Sequence, residues 1–453
     1  MNVYPRNFGQ SRNPAAQDVV APTPVVLPAV EPRQEQDFSE LRAHCLARID
    51  PAAVASTPVE ELIPQLERLV AEMATQRRVQ LNAREQKNLA AELAQDMLGL
   101  GPLEPLLADN SINDILINGP DRIFIERRGK LELSGAHFRD TAHLTNVCQR
   151  IAANVGRRVD ESSPLVDARL KDGSRVNIVL HPIALDGPYV SIRKFGTKAI
   201  DFNALIGFGA LTRPVATILE IASHCRLNVI ISGGTGSGKT TLLNAMSRMI
   251  APDERIVTVE DAAELKLQQP HVVRLETRPT SLEGGGEINQ RELVRNALRM
   301  RPDRIIIGEV RGSEAFDMLQ AMNTGHDGSM STIHANSARD ALTRMENMVQ
   351  MGQLGLPSQS IRTQIVSAVH LIVQVERQRD GGRRVTQLAE VVGMEGDVVL
   401  LNDIFRFLVD AEDIDGKLVG HYEGSPARPS FFDKLQYFGL DREWMRALEE
   451  VAK

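Results

Sequence analysis

The sequence predicts an α/β protein built on a mostly parallel sheet with helices on both faces. Three observations carry this. Short apolar runs, Ile256-Val257-Thr258-Val259, Ile305-Ile306-Ile307, Met330-Ser331-Thr332-Ile333 and Leu371-Ile372-Val373-Gln374-Val375, alternate with helical patterns. A complete G-x-x-x-x-G-K-S/T loop, Gly233-Gly234-Thr235-Gly236-Ser237-Gly238-Lys239-Thr240, stands between a strand-like run from Leu227 to Ser232 and a breaker-free helical run from Thr241 to Met246. With 453 residues and 42% hydrophobic content, the chain is long enough for two or three cored domains.

Residues 1–37 carry Pro5, Pro14, Pro22, Pro24, Pro28 and Pro32 among polar residues and alanines, which predicts a disordered arm. Over 38–100, Leu41, Cys45 and Ile49, then Leu62, Leu66 and Val70, then Leu89, Leu93 and Met97 recur at helix-face spacing, predicting a three-helix bundle. Gly101-Pro102 ends it. A smaller α/β domain follows over 101–196, with strand-like runs around Ile112 to Ile117 and Ile123 to Ile125 split by Asn118-Gly119-Pro120 and Arg128-Gly129. It continues through a helical stretch from Thr145 to Val155, a hairpin turn at Asp172-Gly173 and a strand from Val190 to Arg193. Residues 197–211 read as a linker, and 212–453 as the domain that carries the phosphate loop. Its last third adds strands from Arg384 to Val392 and Asp397 to Phe407 and a helix from Arg442 to Val451. No internal repeat is detected.

The net charge of −7 provides no global basic field, and four tyrosines with one tryptophan make a poor stacking platform. Direct nucleic-acid binding is therefore not expected. Cys45, Cys148 and Cys225 have no C-x-x-C spacing and read as reduced, buried thiols. No apolar h-region opens the chain and no uninterrupted apolar span reaches bilayer length. A cytoplasmic protein is expected, touching a membrane only through partners.

The phosphate loop makes ATP the expected ligand. Glycines let backbone N–H groups wrap phosphate oxygens, and the helix N-terminus adds its dipole, so Gly233 through Thr241 form the binding cradle. Lys239 would bridge the β- and γ-phosphates and Thr240 would offer its hydroxyl to Mg²⁺. Hydrolysis also needs carboxylates, and two acidic groups follow strand-like runs: Glu260-Asp261 with Glu264, and Glu309. Each alone could instead cap a following helix, a reading that the phosphate loop beside them weakens. His326 and His334 flank the run from Met330 to Ile333 and are expected near the same sheet edge, to sense the γ-phosphate or to serve structure. Arg169 and Arg175 flank the Asp172-Gly173 turn; with Arg193 they are candidate arginine fingers, or a solvated basic face. Arg299 and Arg301 fit helix-end charge, and Glu283 to Glu287 reads as a mobile loop.

The phosphate loop, Glu260-Asp261-Ala262-Ala263-Glu264, Arg304 to Arg311 and Gly325 to His334, in that order, resemble the Walker A, Asp box, Walker B and His box of the type II/IV secretion ATPase family. Leu298-Arg299-Met300-Arg301-Pro302-Asp303, Ala321 to Gly328 and His334-Ala335-Asn336 resemble its CpaF-type branch, which assembles Tad (Flp) pili. The resemblance covers about Leu100 to Phe407. It implies a RecA-like motor domain, a smaller N-terminal (PAS-like) domain that swings over the nucleotide and supplies arginines, and a homohexameric ring. It also implies that Glu260 and Glu309 are the water-activating and Mg²⁺-linked carboxylates, without deciding which is the base.

On this reading the chain is a motor that hydrolyses ATP to drive pilus assembly through inner-membrane platform proteins, with retraction left open and regulatory or localisation partners on the N-terminal arm. The alternatives are a type IV secretion ATPase, a nucleotide-gated assembly module with little turnover, and a nucleic-acid translocase.

Overall fold

The computed structural model describes residues 40–42, 44, 45, 48, 59–127, 130–194, 200–278, 285–353 and 355–451. The predicted arm over 1–37 and most of the first bundle helix lie outside them. The chain divides into two compact units, Met1–Glu104 and Pro105–Lys453.

In the first unit, α1 (Val59–Arg77) and α2 (Ala83–Leu98) pack along their apolar faces. Leu62, Leu66 and Val70, spaced one turn apart, meet Leu89 and Leu93, and Leu41 and Cys45 complete the core. A capping box starts α2: the Glu85 N–H donates to Asn82 Oδ1 at 2.9 Å and the Asn82 N–H to Glu85 Oε2 at 2.8 Å.

The second unit holds two sheets. The smaller is antiparallel and six-stranded, built from β1 (Ile112–Asn118), β2 (Ile123–Arg127), β3 (Lys130–Leu133), β4 (Leu165–Arg169), β5 (Arg175–Val179) and β6 (Tyr189–Arg193) in the order β3-β2-β1-β6-β5-β4. Helix α3 (Thr141–Asn154) begins at Asp140, whose carboxylate accepts the His143 N–H at 2.7 Å, and buries Leu144, Val147 and Ile151. The tight β4–β5 turn falls at Asp172-Gly173, where Gly173 takes φ +90°.

The larger sheet has nine strands in the order β15-β14-β13-β12-β7-β11-β10-β8-β9. They are β7 (Val229–Gly233), β8 (Ile256–Glu260), β9 (Val272–Glu276), β10 (Arg304–Val310), β11 (Met330–Ile333), β12 (Leu371–Arg377), β13 (Arg383–Glu395), β14 (Val398–Glu412) and β15 (Leu418–Gly424). The stretch from β12 to β9 is parallel, and β13 to β15 extend it antiparallel. This is the α/β class predicted from the apolar runs. Those runs are continuous because both faces are covered: Val229 and Ile231 of β7 enter one core and Ile230 the other.

The first core holds α4 (Phe202–Gly207), α5 (Arg213–His224) and α6 (Lys239–Ser247); the second holds α7 (Gln290–Ala297), α8 (Glu314–Asn323), α9 (Ala338–Met351) and α10 (Ser358–Ala368). Helix α4 falls where the sequence reads as linker. Asp201 caps it through the Ala204 N–H at 2.8 Å, and Phe202, Leu205 and Leu211 sink into the first core. β9 and β15 were not among the strands expected from the sequence. Arg304, at the start of β10, is wholly buried and grips Glu254 with two bonds of 2.7 Å.

Candidate nucleotide site

The phosphate loop leaves the sheet from one of its most enclosed strands. β7 ends at Gly233, where a β-carbon would collide with the Val375 carbonyl of β12 and stand 2.6 Å from Ser237 Oγ, so only glycine fits. Gly236 and Gly238 take φ of +70° and +102°, and Gly238 is the N-cap of α6. Lys239 folds back across the loop, its Nζ donating to the carbonyls of Gly233 and Gly234 at 3.0 and 2.9 Å. One of its three ammonium donors remains for a ligand. Burial pushes the ammonium below its usual pKa, with Glu309 opposing. Ser237 Oγ is buried without a partner. Thr240 and Thr241 fall in the first turn of α6, where unpaired N–H groups and the dipole favour an anion. A positive helix end, a lysine with a donor to spare and Cβ-free backbone fit a phosphate chain.

Glu260 is the last residue of β8 and is 2% exposed. Its Oε2 accepts the N–H groups of Glu264 and Leu265 at 2.7 and 2.8 Å, while Oε1 is buried without a partner. Burial raises its pKa, with those two N–H groups opposing. On the neighbouring strand, Ile307 pairs with Val259, which brings Gly308 level with Glu260. Glu309, the next residue, accepts from Arg311 Nη2 at 2.7 Å, and Arg311 Nη1 donates to Asp261 at 3.3 Å. Thr240, Glu260 and Glu309 line one cleft with Arg175. A hydroxyl and two carboxylates are hard oxygen donors suited to Mg²⁺. Among the described residues no cluster of three or more His, Cys, Asp or Glu stands ready for a metal, so Mg²⁺ here would draw further oxygens from phosphate and water.

Arg169, Arg175 and Arg193 stand directly opposite one another across β4, β5 and β6. Three like charges in register repel. Each is offset by a carboxylate: Arg169 by Glu276 at 3.0 Å, Arg175 by Asp167 at 3.7 Å, Arg193 by Asp114 at 3.2 Å. Arg169 also donates to the Ala263 carbonyl at 3.1 Å, joining the small sheet to the acidic stretch after β8. The row lines a cavity of about 250 Å³ together with Thr240, Thr241 and Glu264.

The two histidines part company. β11 runs parallel to β7 with Ile333 opposite Ser232, so His334 emerges at the phosphate-loop edge. His326 precedes Met330, which pairs with Val229, and so lies at the opposite edge, roughly 13 Å of strand away. Its Nδ1 stands 3.2 Å from the Ala321 carbonyl. The expectation that His326 sits beside the phosphate loop is corrected: a residue before a parallel strand cannot share an edge with one after it.

That far edge is organised by Asn228. Its Oδ1 accepts the N–H groups of Gly328 and Ser329 at 2.8 and 3.1 Å, and its Nδ2 donates to the carbonyls of Met322 and Ala368 at 3.4 and 2.7 Å. Arg301, at φ +54°, belongs to the reversal between α7 and β10. Of the loop from Glu283 to Glu287, residues 283 and 284 lie outside the described residues; Gly286 accepts a bond from Arg278. Arg311 was not among the site residues expected from sequence. Its position two residues after Glu309, just past the end of β10, was the available signal.

A family model described as type II/IV secretion system protein matches residues 96–391. A Mycobacterium tuberculosis H37Rv protein named for conjugal transfer is 41% identical over 312 residues, covering 68% of this chain and 88% of that one. Type IV secretion system protein PtlH of Bordetella pertussis is 36% identical over 315 residues, covering 63% of this chain and 91% of that one. Among solved structures, the VirB11 ATPase from the Brucella suis type IV secretion system is 30% identical over 64% of this chain and 95% of that one, with a TM-score of 0.35.

Proposed function

The chain belongs to the type II/IV secretion system protein family, and from that premise we propose that it is a P-loop ATPase, a RecA-like motor that works as a homohexamer on inner-membrane partners from the cytoplasmic side. The observation that carries the reading is convergence: Arg175 from the small sheet meets Thr240 of α6 and Glu260 and Glu309 of the large sheet around one cleft. ATP is the substrate. The loop from Gly233 to Thr241 binds its phosphates, and Lys239 turns its remaining donor to them. Thr240 and Glu309 would hold Mg²⁺, whose charge would offset that of the phosphates. Glu260, with one buried oxygen to spare, orients the attacking water, and the row of Arg169, Arg175 and Arg193 stabilises charge on the transferred phosphoryl group. His334 senses the γ-phosphate from the end of β11.

The finer reading is a Tad (Flp) pilus assembly motor of the CpaF type. A second reading, a type IV secretion ATPase, is favoured by relatives named for conjugal transfer and for type IV secretion. Loss of surface pili in a Lys239→Ala strain that still secretes and conjugates supports the first; the reverse phenotype supports the second. Steady-state ATP hydrolysis across a dilution series, native against Glu309→Gln, tests the chemistry. Activity per chain that rises with concentration and vanishes in the variant is expected; binding of ATP without turnover at any concentration would turn the reading toward a nucleotide-gated module.

A further inference from the structure

Strand β13 carries a bulge whose consequence reaches the phosphate loop. Gln374 pairs with Gln387, but Val375 pairs with Val385, which leaves Thr386 as the extra residue. In a strand, side chains alternate faces. Upstream of Leu388, which enters the first core, regular alternation would put residues 386 and 384 on that face; the bulge puts Val385 there instead, and Arg383 with it. That face also carries α6 through Leu242, Leu243 and Met246. Arg383 accordingly reaches the phosphate loop: its Nε donates to the Gly236 carbonyl at 2.8 Å, and its Cδ would lie 3.6 Å from a β-carbon at Gly238.

We propose that Arg383 is a positioning residue of the phosphate loop, holding the Gly236 carbonyl outward so that the Ser237 N–H of the same peptide faces into the cradle. In a planar trans peptide the C=O and N–H point opposite ways, so fixing one aims the other. The Ser237 N–H makes only a long contact, 3.4 Å to the Gly234 carbonyl, which also accepts from Lys239. The hairpin presenting Arg383 is itself anchored: Asp380 accepts the N–H groups of Gly382 and Leu418 at 2.8 and 2.9 Å. Arg383 thus acts from outside the motif, on a backbone group that no side chain of the loop controls.

The proposal rests on the nucleotide-binding reading above, and calorimetric titration of the full chain with Mg·ATP, paired with steady-state kinetics, separates the two. Arg383→Ala is expected to raise both Kd and KM for ATP about tenfold while kcat stays within about twofold. Arg383→Lys, which keeps a charged donor, is expected to recover most of the loss, which a merely structural lesion would not allow. Unchanged Kd and KM in Arg383→Ala, with binding abolished in Lys239→Ala, overturns the positioning role alone. Equal binding by native protein and Lys239→Ala overturns the nucleotide reading and this proposal together.

Discussion

Gly308 lies against the side chain of Glu260: a β-carbon at position 308 would stand 2.9 Å from Glu260 Cγ. Because Glu260 Oε2 is already held by two backbone N–H groups, the carboxylate cannot slide away as a unit. The absence of a side chain at position 308, two residues before β10 ends at Val310, is the room that Glu260 occupies.

Gly308→Ala is therefore expected to tilt the Glu260 carboxylate and lower kcat by about ten- to a hundredfold, with KM for ATP nearly unchanged because the phosphate loop is untouched. Overpacking should cost about 1–3 kcal/mol of stability. Steady-state kinetics and urea unfolding check both numbers, and a kcat equal to native would mean that Glu260 does not need its present placement.

Arg175 stands between Arg169 and Arg193 in the register of the small sheet. Arg175→Ala removes the central member of a like-charged row, so its unfolding midpoint in urea is expected to stay level or rise. ATP turnover should fall about a thousandfold if this guanidinium meets the transferring phosphoryl group. A variant that loses stability and turnover in proportion would instead mark Arg175 as a structural residue.

His370 sets an acid limit on stability. Its Nδ1 accepts the Asn228 N–H at 3.0 Å, which requires the neutral ring, and burial pushes its pKa from 6.5 down to about 4, with Lys434 adding to the effect and Asp327 opposing. The unfolded chain binds this proton first as pH falls. Stability is thus complete above pH 6.5 and is lost as pH falls from there toward about 4, by about 3 kcal/mol in total. Urea melts at pH steps should show this slope, and His370→Gln, which does not titrate, should flatten it; an equal slope in both proteins would remove His370 from the account.

The phosphate loop was legible in the sequence because its requirements are local: Gly236 and Gly238 need positive φ, Gly233 needs a missing Cβ, and the flanking strand and helix are contiguous with them. The central strands were legible because burial on both faces leaves nothing polar in runs such as Ile305 to Ile307. What could not be read depends on register between distant segments. The wrong edge assigned to His326 needed the direction of β11 beside β7. The aim of Arg383 needed a single extra residue in β13. Helix α4 was hidden inside a presumed connector because six residues carry too few turns for a periodic signal, although its Asp201 cap was present in plain sequence.

Asn228 binds backbone groups that lie 94, 100, 101 and 140 residues away along the chain. No single neighbouring segment can satisfy this amide, and leaving half of it unpaired in the interior is costly. Partial assemblies are penalised, and closure of this edge waits on chain that arrives late from the ribosome. The motifs of the nucleotide site end at His334, yet β7 is flanked by β12, Leu371–Arg377, on its other side. The smallest autonomous fragment that keeps β7 flanked on both sides therefore has to run past Arg377, and a truncation drawn at the last motif would leave β7, the strand that leads into the glycine loop, with one neighbour missing.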